Sequence, residues 1–166
     1  MPCRVAFAFG AAFLAVMAAA PAAVAQFASP QALIEDIYKK RYRTKNSPGI
    51  DLAKKSEVVR YFEPALADAL DKDGRGDQEP LLNGAPFTNA QDRYFSALKI
   101  EMGPSTERSA AATVSFLREG DRKRTVLRYD MVRDAKGWRI RDIVESGGNA
   151  PVEHGGSLRN LLKVKR

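Results

Sequence analysis

The C-terminal half of the chain alternates apolar and polar residues with the two-residue period of β-strands. Short polar turns around Gly120 and Gly137 separate three such segments, at residues 108–120, 123–134 and 137–146. Because consecutive side chains of a strand point to opposite faces, each segment has one face that must be buried. The pattern therefore predicts a three-stranded antiparallel meander whose apolar face the rest of the chain covers.

The two faces of this meander can be assigned from the alternation. In the second segment, the side chains predicted to face the core are Leu127, Tyr129 and Met131. In the third, those predicted to face the core are Trp138, Ile140 and Val144, and those predicted to face away are Arg139, Arg141 and Ile143. A further strand over residues 94–102, ending before Gly103 and Pro104, completes a four-stranded sheet.

Apolar residues spaced three and four apart predict three helices before the sheet and one after it. Ser29 can cap the first helix, and Pro30 suits its first position. Its predicted apolar face is Leu33, Ile34, Ile37 and Tyr38, and its predicted polar face is Glu35, Asp36, Lys39 and Lys40. The other helices are predicted at residues 52–62, 64–73 and 157–163, with core positions Leu52, Val58, Val59, Phe62, Leu66, Ala69, Leu70, Leu158, Leu161 and Leu162.

Helices that precede a set of antiparallel strands predict an α+β fold with segregated elements. We expect N-terminal helices packed on a curved four-stranded antiparallel sheet, followed by a short C-terminal helix. This order of elements is similar to the cystatin-like cone of the nuclear-transport-factor-2 and ketosteroid-isomerase superfamily.

The first 25 residues predict a secretory signal peptide. Arg4 supplies a positive charge, residues 5–20 are uncharged, and Ala23-Val24-Ala25 fits the rule for cleavage after a small residue. An uncleaved membrane anchor is the alternative, because the apolar run approaches the roughly 20 residues that span a bilayer. The cleavage motif favours removal. We therefore expect a periplasmic or secreted protein whose mature part is one domain, residues 26–166.

The mature part is basic and has no thiol. Cys3 is the only cysteine and lies in the predicted signal peptide, so we expect no disulfide, cysteine nucleophile or cysteine–metal site. The 27 basic residues less Arg4, set against 20 acidic residues, leave a net charge of +6. This balance admits anionic envelope polymers as partners. The basic run at residues 39–45 is the candidate contact, although cations also suit a helix C-terminus.

Common catalytic signatures are missing from the sequence. His154 is the only histidine and lies beside Gly155 and Gly156, which is a poor place to hold a proton-transfer geometry. A zinc site with three or four histidine or cysteine ligands is excluded by count. The acidic segment at 68–79 lacks the ligand spacing of a calcium loop. We expect neither a metal nor a cofactor.

Acid–base chemistry of the isomerase type remains an alternative, because it needs only an aspartate and hydroxyl donors in an apolar pocket. The candidate bases are Asp92, Asp130 and Asp142, and the candidate donors are Tyr94 and Tyr129. The competing interpretation pairs these carboxylates with Arg128, Arg139 and Arg141 on neighbouring strands, which is ordinary sheet stabilisation.

Five strings resemble, in order, an uncharacterised bacterial family of exported proteins, domain of unknown function 3828. They are FASPQALIEDIYKKRY, YFEPALADALDKD, APFTNAQD, YDMVRDAKGWRIRDIV and GGSLRNLL. The resemblance covers nearly all of residues 27–162, and residues 86–92 are its most distinctive part. It implies a compact cone-shaped domain of the envelope and no particular reaction. Acidic residues often precede the Pro-Phe pair in that family, whereas residues 82–85 of this chain supply none.

Three functions follow as hypotheses. The first is a non-enzymatic domain that binds a small molecule or an envelope protein, with candidate binding residues Phe87, Gln91, Asp92, Tyr94 and Tyr129. The second is a small acid–base enzyme that uses Asp92 or Asp130 in the cone pocket. The third is an envelope protein that contacts anionic polymers through basic surface. A homodimer is a candidate assembly in each case.

Overall fold

A computed structural model describes residues 26–76, 79–82, 84–88, 95–146 and 156–165. The predicted signal peptide, Gln91, Asp92, Tyr94 and His154 lie outside these ranges. The helices are α1 (Pro30–Glu35), which continues as a π-helical segment (Asp36–Arg41), α2 (Lys55–Tyr61), α3 (Pro64–Asp73) and α4 (Leu158–Leu161). The strands are β1 (Phe95–Ser105), β2 (Ser109–Arg118), β3 (Thr125–Asp134) and β4 (Gly137–Glu145).

The four strands form one antiparallel sheet in the order β1-β2-β3-β4. The helices pack on it, with α1 against β2 and β4 and with α2 against β4. The predicted α+β fold is therefore confirmed. Among the described residues, no helix is both long enough and apolar enough to cross a membrane.

One bulge in β4 corrects the predicted faces of that strand. Asp130 pairs with Asp142 while the next residue of β3, Met131, pairs with Ile140, which leaves Arg141 as the extra residue. An extra residue shifts everything beyond it to the opposite face. Ile143 is consequently buried and Val144 is only half-buried, so the prediction for this pair was wrong. Arg139 is also buried, contrary to expectation, and its guanidinium donates to the carbonyl of Arg60.

Helix α1 begins as the sequence predicts. The Ser29 hydroxyl accepts a hydrogen bond from the Ala32 amide at 3.0 Å, and Pro30 occupies the first turn, where no donor is needed. The helix then widens into the π-helical segment, in which the Tyr42 amide donates to the Ile37 carbonyl five residues earlier. π-Helical turns are rare and are frequent at functional sites. No sequence pattern predicted this one.

In each of α2 and α3, one predicted core residue is not buried and one residue that was not predicted is buried. In α2 the buried face is Val58, Tyr61 and Phe62, spaced three and four apart, so Val59 is 44% exposed. In α3 the buried residues are Leu66, Ala67 and Leu70, and Ala69 is half-buried. Both helices are short, so the element packed against them decides which side is covered.

Helix α4 is joined to the edge of the sheet by polar contacts. The Asp142 carboxylate accepts from the Ser157 hydroxyl at 2.7 Å and from the Arg159 amide at 3.0 Å. The buried Arg159 guanidinium in turn forms an ion pair with Glu63, which precedes α3. Asp142 is therefore a structural residue that holds the C-terminal helix against β4.

Candidate functional site

Two tyrosine hydroxyl groups are linked by hydrogen bonds in the interior between the helices and the sheet. The Tyr38 hydroxyl lies 2.8 Å from the Phe87 carbonyl oxygen and 2.6 Å from the Tyr129 hydroxyl. A carbonyl oxygen can only accept, so Tyr38 donates its single proton to Phe87. Tyr129 must therefore donate to Tyr38. Both tyrosine side chains are fully buried, and burial raises the pKa of each above its ordinary value.

Phe87 fills the centre of this interior. Its ring is fully buried and contacts the rings of Tyr42, Tyr61 and Phe62 at centroid distances of 5.7, 6.3 and 5.6 Å. Tyr38 makes similar contacts with Phe95 and Phe116. Two of the predicted binding residues, Phe87 and Tyr129, are thus part of a packed aromatic core. Their polar groups are hydrogen-bonded within the protein.

Asp130 lies on the outer face of the sheet, between the buried residues Tyr129 and Met131. Its carboxylate accepts three hydrogen bonds from Arg141, one from Nε at 2.9 Å and two from Nη2 at 2.8 Å and 2.7 Å, and about 44% of its side chain is exposed. The expectation that Asp130 lines the interior is therefore wrong. The structure matches the competing interpretation, in which carboxylate and guanidinium pair across neighbouring strands.

A buried carboxylate occurs where the sequence predicted a polar surface. Asp36 is only 6% exposed, and it accepts a hydrogen bond from the Tyr61 hydroxyl at 2.6 Å. Lys40 lies 3.2 Å from the same carboxylate, and Arg60 lies 3.9 Å from it. The Tyr61 pKa is raised by burial first and by Asp36 second. Asp36 is buried because α2 packs over it, and the periodicity of the first helix contains no signal of that contact.

A solvent-exposed cleft of about 620 Å³, here called the Arg41 cleft, opens where the π-helical segment ends. Its charged lining residues are Arg41, Asp51, Lys54 and Glu57. Its apolar lining includes Ile50, Leu52 and Ala85. The wall is held in place by two hydrogen bonds, from the Gly49 amide to the Arg41 carbonyl at 2.9 Å and from the Ile50 amide to the Tyr42 hydroxyl at 3.2 Å.

Arg41 is the best candidate for a binding group in this cleft. Its Nη2 donates to Glu57, while Nε is buried and has no partner among the described residues. Buried polar atoms without a partner are rare in folded proteins and call for an explanation. Lys54 adds an exposed cation that is 3.3 Å from Asp51. A guanidinium with free donors beside an apolar wall can hold a carboxylate or a phosphate group.

Most of the basic run at residues 39–45 is neutralised within the fold. Lys39 pairs with Glu35 at 2.7 Å, Lys40 pairs with Asp36, and Arg41 pairs with Glu57. The run therefore presents much less positive charge to a partner than its composition suggests. Within the described ranges, no group of three or more His, Cys, Asp or Glu side chains is arranged to hold a metal ion.

Comparison of the chain with protein-family models, with curated proteins and with solved structures finds no match.

Proposed function

We propose that the chain is an exported, non-enzymatic domain that binds a small anionic molecule in the Arg41 cleft. The observation that carries this proposal is the Arg41 guanidinium, which belongs to the lining of a ready-formed cleft and whose buried Nε has no partner among the described residues. The N-terminal signal pattern supports export. The resemblance to domain of unknown function 3828 agrees with an envelope protein that has no catalytic signature.

The ligand is proposed to have one anionic group and an apolar part. A carboxylate or phosphate would accept from the donors of Arg41 that Glu57 leaves free. The apolar part would lie against Ile50 and Leu52. A volume of about 620 Å³ falls within the range of small-molecule pockets, which is roughly 300–1,000 Å³.

Two observations favour this function over the alternatives. An acid–base enzyme needs a free carboxylate in an apolar interior, whereas Asp130 faces outwards in a bidentate pair with Arg141 and the buried Asp36 is bonded to Tyr61 and paired with Lys40. Binding of an anionic polymer needs a continuous basic surface, and three of the cations in the basic run are paired with carboxylates.

Amide NMR of the chain with added inorganic phosphate or benzoate tests the proposal. We expect resonance shifts at Gly49, Ile50 and Gly84. A chain with Arg41→Gln and Glu57→Gln together should bind at least about tenfold more weakly, since a lost charged contact is worth about 1.5–3 kcal/mol. The paired change avoids leaving Glu57 as an uncompensated carboxylate.

Arg43→Gln is the matched control, because Arg43 is exposed two residues further along and does not line this cleft. It should bind both probes like the natural chain. Equal binding by the Arg41/Glu57 variant, or shifts confined to another surface, would contradict the proposal.

A further inference from the structure

The two outer edges of the sheet differ in how they are covered. Backbone hydrogen bonds from three segments cover the edge of β4: Trp138 donates to Phe27, Glu63 donates to Ile140, and Glu145 donates to Gly156. At the other end of the sheet, β2 is the one strand of the described ranges that pairs with β1. In the described part of the chain, no backbone group pairs with the outer edge of β1. An uncovered edge is a template for another strand.

Two irregularities limit the part of β1 that another strand can use. The pairing with β2 shifts between Ser96 and Lys99, where Ala97 has a φ of +51°, and shifts again between Met102 and Ser105. Bulges of this kind protect an edge from indiscriminate pairing. Between them, residues 99–102 pair regularly with β2. Leu98 adjoins this stretch and lines a depression beside Lys39 of the π-helical segment.

The side chains of this stretch alternate in chemistry as well as in direction. Ile100 pairs with the buried Val114 and Met102 with the buried Ala112, so both are on the inner face. Met102 is nevertheless 38% exposed. Lys99 and Glu101 are on the outer face, where they form an exposed pair 3.0 Å apart. The order along the strand is apolar, positive, apolar, negative, apolar.

We propose that β1 pairs with β1 of a second copy of this chain, antiparallel about a two-fold axis at Ile100, to give one continuous sheet. In this register Lys99 lies opposite Glu101 of the second copy, and Glu101 lies opposite its Lys99. Leu98 lies opposite Met102, and Ile100 opposite Ile100. Each charge thus meets its opposite and each apolar side chain meets another, which is the self-complementarity that a two-fold interface requires.

The neighbouring registers are disfavoured by charge. Inner-face residues must lie opposite inner-face residues, so the two-fold axis must coincide with a residue and cannot lie between two. The nearest alternatives to Ile100 are therefore its two neighbours. An axis at Lys99 would place two ammonium groups opposite each other, and an axis at Glu101 would place two carboxylates opposite each other; like charges in these positions are destabilising. Because a stretch of about five residues buries less area than a permanent interface needs, we expect the dimer to be in equilibrium with the monomer.

Sedimentation velocity over a range of concentrations tests this pairing, on the chain as recovered from the expressing cell. The natural chain should dimerise as concentration rises. Lys99→Glu alone or Glu101→Lys alone should weaken the dimer at least about tenfold, because each puts like charges opposite each other. The double exchange Lys99→Glu/Glu101→Lys should restore it. Both positions are exposed, so circular dichroism of all four proteins should be the same.

A cross-linking experiment reports the register itself. In a Cys3→Ser background, Ile100→Cys should form a disulfide dimer, because residues on the axis have Cα atoms about 4.5–5.5 Å apart. Met102→Cys, which lies opposite Leu98, should not. The proposal would be overturned if the natural chain stays monomeric at all concentrations, or if the double-exchange variant does. It would also be overturned if Met102→Cys forms the cross-link and Ile100→Cys does not.

Discussion

The hydroxyl oxygens of Tyr38 and Tyr129 lie 2.6 Å apart in the core, although 91 residues separate them in the chain. The contact joins the π-helical segment to β3, and Tyr38 extends it to the Phe87 carbonyl at 2.8 Å. Each hydroxyl supplies one proton, so the chain of hydrogen bonds has a direction, from Tyr129 through Tyr38 to Phe87. Because of this direction, the Tyr38 hydroxyl takes part in two hydrogen bonds of the chain and the Tyr129 hydroxyl in one.

Tyr38→Phe should destabilise the protein more than Tyr129→Phe. Removing the Tyr38 hydroxyl leaves the Phe87 carbonyl and the Tyr129 hydroxyl without that partner, each at about 1–3 kcal/mol. Removing the Tyr129 hydroxyl leaves the bond from Tyr38 to Phe87 intact, so about 1 kcal/mol is expected. Urea denaturation of both variants measures the difference. Equal losses, or a larger loss for Tyr129→Phe, would contradict this prediction.

Stability should fall in alkaline solution. The pKa values of Tyr38, Tyr61 and Tyr129 are raised in the folded protein, chiefly by burial, so the folded state keeps protons that the unfolded chain releases near pH 10. Their contribution is therefore complete below about pH 10 and is lost as pH rises above it. Each tyrosine adds a slope of about 1.4 kcal/mol per pH unit.

The matched control for this effect is Tyr129→Phe, which has one fewer titrating group. Its free energy of unfolding should fall less steeply above pH 10 than that of the natural chain, by about 1.4 kcal/mol per pH unit. Parallel curves for the two proteins would contradict the prediction. Phenolate absorbance of the folded protein provides an independent measure of the same groups.

Gly156→Ala should be more costly than Gly120→Ala. Both glycines have positive φ, +66° and +83°, where a Cβ adds about 1–2 kcal/mol of strain. At Gly156 the new Cβ would also lie 2.7 Å from the Glu145 carbonyl oxygen, whereas at Gly120 it meets no atom within 4 Å. The Gly156 variant should therefore lose about 1 kcal/mol more, because the hydrogen bond from Glu145 to Gly156 is disturbed. Thermal unfolding of the two variants checks this prediction. Equal losses of stability in the two variants would contradict it.

Asp36→Asn and Asp130→Asn should separate a buried carboxylate from an exposed one. Asp130 pairs with Arg141 in an exposed position, and such pairs are worth about 0–1 kcal/mol. Asp36 is buried and bonded to Tyr61, and hydrogen bonds to charged groups are worth about 1.5–3 kcal/mol. Chemical denaturation should rank Asp36→Asn as the more damaging change. The reverse order would show that the Asp130 pair has a structural role that its exposure does not explain.

Much of the fold could be predicted because its signals are local. Ser29 and Pro30 mark the start of α1, and alternation places Leu127, Tyr129 and Met131 on one face of β3. The Arg141 bulge could not be predicted, because one unpaired residue depends on how two strands meet. It reversed the faces of Ile143 and Val144.

The candidate site was less accessible to sequence reasoning than the fold. The sequence indicated Phe87 as a candidate binding residue but not that its carbonyl accepts from Tyr38. Arg41 belonged to a basic run, and its partner Glu57 is 16 residues away, so only the folded chain shows the pair at a cleft. The contacts that form the candidate site join distant parts of the chain, and periodicity contains no information about them.

The central claim is that the ligand lies in the Arg41 cleft and not in the aromatic interior. Native mass spectrometry with a mixture of small carboxylates and phosphates tests it on three proteins: the natural chain, the Arg41→Gln/Glu57→Gln variant and Tyr129→Phe. The natural chain and Tyr129→Phe should retain the same bound mass, and the cleft variant should lose it. The account would be contradicted if the cleft variant retains the bound mass while Tyr129→Phe loses it. It would also be contradicted if the natural chain carries no bound mass.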